Sequence, residues 1–267
     1  MSDTHSLLQA SDPQPVGVER LDRRSRFLLI ADHAGNAVPK RLGDLGISSV
    51  DLNRHIGIDI GINGVAQRLS ALLDAPYVFQ RYSRLVIDCN RQPGNPTSIA
   101  PVSDSTYIAA NRDLSPEAVQ QRQDEIFWPY QTAIARQIEK MRKVLSPPVV
   151  IAMHSFTPEH GDYPGPRPWH IGVLFNRDDR LARSLITLLE NEVDVTVGVN
   201  QPYAVEDHVD YAVPVHCERG GLIHVELEIR QDLIASADGQ AAWATRLGRL
   251  LPLALDAVER QLSKRAF

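Results

Sequence analysis

A three-layer α/β/α domain on a mostly parallel, mixed sheet is the fold this sequence predicts. Three observations point there. Short apolar runs of strand length alternate with amphipathic stretches of helical period. Three of the polar segments, Asp32-His33, Tyr82–Arg91 and Met153-His-Ser155, stand where an apolar run stops, as buried strands do when they open onto a site. In open sheets of this kind ligands collect outside the carboxyl ends of strands, where those segments fall.

The elements follow in order. Residues 1–24 are polar with scattered proline and read as a loose N-terminal arm, leaving residues 25–267 as one domain. Arg26-Phe-Leu-Leu-Ile-Ala31 reads as a buried strand ended by Asp32-His33. Asp59 then opens a helix to Leu73, with Ile62, Val65, Ala66, Leu69, Leu72 and Leu73 at helical spacing, and Ala75-Pro76 stops it. Residues 77–80 and 85–87 read as strands. Residues 94–111, rich in Pro, Ser, Thr and Asn, form a long loop of the sort that carries function beside strand ends. Ser115-Pro116-Glu117 is a helix start, with a capping hydroxyl, proline at the first position and then an acid. That helix runs to Leu145 with a bend near Pro129. Residues 148–153 are the most apolar strand, and residues 156–168 a second loop broken by Pro and Gly. A strand at 170–175, an amphipathic helix at 178–192, a strand at 222–229 and a closing helix at 240–262 complete the alternation.

Composition narrows the function. The chain has 267 residues, 43% hydrophobic and 23% charged, enough for a sizeable core. A net charge of −5 argues against a nucleic-acid binder, which usually shows a basic stripe. Cys89 and Cys217 are far apart and make neither a disulfide framework nor a cysteine zinc site. The first twelve residues lack the apolar centre of a signal peptide, and no apolar run approaches the roughly 20 residues of a membrane span. A cytoplasmic protein without membrane or nucleic-acid partners is expected.

His33 and His154 are the first candidates for chemistry. Imidazole is a common zinc ligand, and a catalytic zinc takes three protein ligands and keeps an open position. A single strand-end histidine is as often a hydrogen-bonded structural residue; two beside glycine- or proline-rich loops turn the reading toward a metal. The third ligand should be a carboxylate or another histidine. Asp59 lies four residues after His55 and would share its helix face, although a helix-start acid favoured by the dipole is the ordinary alternative. In the run 82–91, period two would put Arg84, Val86, Asp88 and Asn90 on one strand face. Arginine forks match carboxylates bidentately; the plainer alternative is a surface salt-bridge cluster. Leu85-Val-Ile87 looks buried, however, and a buried arginine needs a partner such as Asp88. Alternation in His224-Val-Glu226-Leu-Glu228-Ile-Arg230 puts the four polar residues on one face. They are either cross-strand charge pairs or a glutamate placed to take a proton from an attacking water. His170, Asp207 and His216 read as structural or substrate-contacting groups. Ser155 follows a histidine, but no G-x-S-x-G elbow surrounds it.

Taken together, Asp32-His-Ala-Gly-Asn-Ala-Val-Pro39, His55-Ile-Gly-Ile-Asp59, Tyr82-Ser-Arg-Leu-Val-Ile-Asp-Cys-Asn-Arg91, His154-Ser155 and Glu226-Leu-Glu-Ile-Arg230 resemble the N-formylglutamate amidohydrolase family. They span most of the chain in the expected order, and Ser-Arg-x-x-x-Asp-x-Asn-Arg is the most specific of them. The family is distantly similar to zinc carboxypeptidases and aspartoacylases. The resemblance implies a phosphorylase/hydrolase-like catalytic domain, one zinc ion, and hydrolysis of the amide bond of a small N-acyl acidic amino acid. It implies His33, Asp59 and His154 as metal ligands, Arg84 near the scissile carbonyl, Asn90 and Arg91 on the substrate carboxylate, and Glu228 as general base, with Glu226 on the same face as the alternative. Where the carboxypeptidase-like pattern has a Glu three residues after the first His, this sequence has Asn36, so Asp59 is the preferred third ligand over Asn36 and His55. Pro164-Gly-Pro-Arg-Pro-Trp-His170 resembles a subgroup feature. Two other functions fit the same residues: a metal-dependent amidase or peptidase acting on peptide-like or cell-wall amides, and a carboxylate-binding protein that has lost the metal.

Overall fold

The computed structural model describes residues 6–144, 146–161 and 165–265. The first five residues of the expected arm, Leu145, residues 162–164 of the second loop and the last two residues lie outside the described residues.

Seven strands form the main sheet: β1 (Val16–Glu19), β2 (Phe27–Ala31), β3 (Tyr77–Gln80), β6 (Val149–Phe156), β7 (Ile171–Leu174), β8 (Val197–Val199) and β9 (His224–Arg230). Two short strands, β4 (Val102–Ser103) and β5 (Thr106–Tyr107), make a separate hairpin. The sheet order is β1-β3-β2-β6-β9-β7-β8. Strands β3, β2, β6 and β9 run parallel, whereas β1 pairs antiparallel to β3 and β7 antiparallel to β9. Every residue of β2, β3 and β6 is buried, which explains why they read as continuous apolar runs rather than alternating ones.

Two cores cover the two faces. Leu29, Ile151, Met153 and Leu227 pack with α2 (Ile62–Leu72), α5 (Arg180–Glu190) and α6 (Ala237–Arg265). Leu28, Ile30, Val150 and Ala152 pack on the other side with α4 (Trp128–Val144) and with Ala212, Val213 and Cys217. This is the expected α/β/α layering. Short α1 (Ser49–Leu52) and α3 (Pro116–Arg122) complete the helices. Ser115 caps α3 by accepting from Ala118 N at 3.3 Å, as its sequence indicates. Just ahead of Pro129, where a bend is expected, the helix passes through a π-helical turn over Gln123–Phe127, a way for a helix to accommodate a residue that lacks its N–H.

Four local expectations change. Val16–Glu19, expected within the loose arm, is an edge strand, because pairing with β3 satisfies that strand's backbone and Gly17 lets the Phe79 ring lie flat against the chain. Residues 85–87 are a turn: Ser83 Oγ accepts from Leu85 N, and Val86 N bonds to Ser83 O, so period two does not apply. The helix after Asp59 begins only at Ile62, because Gly61 sits at φ +79° ahead of it. Residues 94–111 contain the β4–β5 hairpin and a 3₁₀ turn at Ala109–Asn111. Strand β8 and the π-helical segment Ala212–Glu218 are additions the periodicity does not signal.

Candidate active site

Adjacent parallel strands β2, β6 and β9 end side by side and deliver the polar residues. His33 follows β2, His154 lies in β6, and the strand register sets His154 opposite Glu228. Asp59 arrives from the turn before α2, where its backbone N donates to His33 O at 3.0 Å. Gly61 makes that turn possible, because its left-handed backbone and the Ile234 carbonyl leave no room for a Cβ.

Nitrogen atoms of His33 and His154 and a carboxylate oxygen of Asp59 lie within 4.8 Å of one another, and all three residues are buried. His154 Nδ1 is 3.0 Å and His33 Nδ1 3.4 Å from Asp59 Oδ2. The imidazoles turn their other nitrogens to carboxylates: His33 Nε2 to Asp88 Oδ1 at 2.7 Å, His154 Nε2 to Asp32 Oδ2 at 3.2 Å. Such outer carboxylates orient metal-binding histidines. Burial opposes protonation of His154, but the hydrogen-bonding carboxylates of Asp32 and Asp59 outweigh it and raise its pKa. For Asp59, burial opposes ionisation, and His33 and His154 outweigh it and lower the pKa. His33 Nδ1 is buried with no hydrogen-bond partner. Two imidazole nitrogens, one of them unpartnered, and a carboxylate form the donor set that a zinc-type cation with an open position takes. Neither alternative ligand joins the set: Asn36 Nδ2 donates to Asn53 Oδ1 at 2.7 Å, and His55 Nε2 faces Asp104 at 3.3 Å.

Alternation along β9 sends Glu226 and Glu228 to the same side as His154, into a cavity of about 650 Å³. Burial pushes Glu228 up to about 8, helped by Asp59 and Glu226 against the pull of His154. Burial likewise pushes Glu226 up to about 7, with His154 opposing and Asp210 and Asp32 adding to the rise. Two carboxyls that hold protons near neutrality in one cleft are a frequent mark of acid–base sites.

Arg84 and Asp88 meet across the turn rather than along a strand face. Arg84 Nε and Nη2 donate to Asp88 Oδ2 at 3.0 and 2.6 Å, and Nη1 lies 3.5 Å from Asp59 Oδ1. Burial would raise the Asp88 pKa, but Arg84 and His33 hold it well below the usual range. Asn90 Oδ1 accepts from Tyr211 N and Ala212 N at 3.2 and 3.0 Å, tying the run to the π-helical segment. Arg91 Nη1 donates to Asp210 Oδ1 at 2.6 Å. All four side chains line the cavity.

Sequence reasoning missed three features. Nothing in the sequence pairs Asp32 with His154. Arg167 and Tyr203 also line the cavity, the arginine donating to the Tyr203 hydroxyl at 3.0 Å. His55, Asp104 and His160 gather at the cavity's border with ligand atoms within 4.8 Å of one another; Arg54 Nη2 and Gly161 N each reach Asp104 at 2.7 Å. These residues come from loops without periodicity, so no spacing announces them. Among the described residues no helix is long and apolar enough to cross a membrane.

The geometry has relatives. The N-formylglutamate amidohydrolase family profile matches residues 25–235. The chain is similar, at 35% identity and a TM-score of 0.90, to the crystal structure of gene product Atu2144 from Agrobacterium tumefaciens, over 95% of this chain and 99% of that one. It is similar in fold to N-formylglutamate amidohydrolase from Ralstonia eutropha JMP134, at 18% identity and a TM-score of 0.70, over 93% of this chain and 100% of that one. A search of curated proteins finds no match. With most of its length matched and the motif residues gathered around one cavity, the chain belongs to the N-formylglutamate amidohydrolase family, amidohydrolases that act on carbon–nitrogen amide bonds.

Proposed function

We propose that this amidohydrolase is zinc-dependent and cleaves the N-formyl amide of acidic amino acids such as N-formylglutamate. The buried His33–Asp59–His154 set, with a carboxylate behind each imidazole, carries the proposal. A divalent cation held by these three supplies a Lewis acid for a carbonyl oxygen, acidifies an attacking water and, by its charge, draws down the pKa of neighbouring Glu228. Glu228 takes the proton of the attacking water and hands it to the leaving nitrogen, and Glu226 on the same strand face keeps a second proton nearby. Arg84, fixed by Asp88 and close to Asp59, donates to the oxygen on which negative charge develops. Asn90 and the guanidinium donors of Arg91 not used by Asp210 hold the substrate carboxylate. A cavity of about 650 Å³ suits a small acyl amino acid better than an extended polymer.

Metal analysis of the purified protein, with turnover of N-formylglutamate beside other N-acyl amino acids and short peptides, tests this. One equivalent of zinc, preferential N-formylglutamate cleavage, and loss of both metal and turnover in His154→Ala are expected. A zinc-loaded protein that cleaves none of the acyl amino acids defeats the proposal.

A further inference from the structure

Three arginines line the cavity, and they differ in what already neutralises them. Arg84 is paired with Asp88, and Arg91 with Asp210, each at 2.6 Å. Each brings its own carboxylate, so neither adds net positive charge to the cavity. Arg167 has no carboxylate within ion-pair distance among the described residues. Among the described residues its Nη1 donates to two neutral oxygens, the Thr157 carbonyl at 3.2 Å and the Tyr203 hydroxyl at 3.0 Å. Its guanidinium also lies over the Tyr203 ring, 5.2 Å from the centroid. Stacking and two hydrogen bonds hold the fork in place without consuming its charge, which is the arrangement that leaves an arginine ready for an incoming anion. Tyr203 and Arg167 line the same cavity as Glu228 and Arg84, which brings Arg167 to the side of the reacting groups.

We propose that Arg167 is the specificity residue for a second carboxylate on the substrate, the one that distinguishes an acidic acyl amino acid from its amide or alkyl counterpart. This rests on the reading of the site as an acyl amino acid hydrolase. Asn90 and Arg91 hold one carboxylate of such a substrate, and Arg167 binds the other as a charge-assisted fork, with Tyr203 as its support. A pocket built to pair a charged group rejects the neutral analogue, because the arginine is otherwise left without its anion.

The test measures kinetics with N-formylglutamate and N-formylglutamine, and calorimetry with glutarate and butyrate, on wild type, Arg167→Ala and Arg167→Lys. Arg167→Ala lowers the glutamate-to-glutamine ratio of kcat/KM by about tenfold or more, through KM and not kcat. It loses the preference for glutarate over butyrate, and Arg167→Lys restores part of both. An unchanged ratio together with unchanged glutarate binding overturns the proposal. A wild type that cleaves no N-formyl amino acid but binds glutarate through Arg167 defeats the functional reading and upholds this site.

Discussion

Asp88→Asn is the perturbation that reaches furthest into the site. Asp88 is 4% exposed and accepts from four donor atoms: His33 Nε2 at 2.7 Å, Arg84 Nε and Nη2 at 3.0 and 2.6 Å, and Asn90 N at 2.9 Å. Asparagine keeps one acceptor oxygen but turns an amino group toward either His33 or Arg84, so a donor meets a donor. The substitution also removes the negative charge that balances the half-buried Arg84 guanidinium. Hydrogen bonds to charged groups are worth about 1.5–3 kcal/mol each, roughly twice the neutral kind, so removing the charge from all four costs about 3 kcal/mol or more. Arg84 keeps part of its side chain in solvent, so the cost falls at the lower end of the about 3–5 kcal/mol for removing one partner of a buried ion pair. The same change frees His33 to rotate, and loss of such an outer carboxylate weakens metal binding about 10- to 100-fold. Urea denaturation gives the first quantity, and competition with a zinc chelator gives the second. A folded Asp88→Asn protein with wild-type zinc affinity would refute the claim that Asp88 orients His33 toward a metal.

Three further outcomes are expected. Gln131 Nε2 donates to Cys89 O, so Gln131 Oε1 accepts from neutral His216 Nε2 at 2.7 Å, and burial pulls the His216 pKa down to about 4. Its folded pKa lies below its unfolded value near 6.5, so this contribution is complete above about pH 6.5 and is lost as pH falls toward 4, up to about 3 kcal/mol. In His216→Gln, denaturation midpoints measured across that window should fall less steeply than in wild type, and identical slopes would contradict the assignment. Gly61→Ala forces a side chain into a left-handed turn against the Ile234 carbonyl; it should cost about 2 kcal/mol or more in thermal unfolding and loosen Asp59. Glu228→Gln should lower kcat about 10²- to 10⁴-fold with metal content unchanged, and Glu226→Gln should lower it less; the reverse order would exchange their roles.

The alternation of apolar runs and helical periods was sufficient for the α/β/α fold, since each element's character depends on residues a few positions apart. One strand end was legible for the same reason: Leu28 to Ala31 is continuously buried and Asp32-His33 follow it, whereas β6 runs on past Met153 through His154 to Phe156. Alternation in β9 likewise put Glu226 and Glu228 on one face. Where local pattern was read too literally it failed, as in residues 85–87, whose apolar side chains pack in a turn stapled by Ser83 rather than in a strand. The family resemblance named Asp59 with His33 and His154, but how they meet was decided by the parallel order of β2, β6 and β9 and a turn that requires Gly61. The tertiary structure alone put Asp32 and Asp88 behind the imidazoles, and left Arg167 without an acid among the described residues while Arg84 and Arg91 each gained one. Sequence determined the type and order of most elements; which charges meet was decided by the sheet order and the loop paths, because those partners are separated by tens of residues and no local period links them.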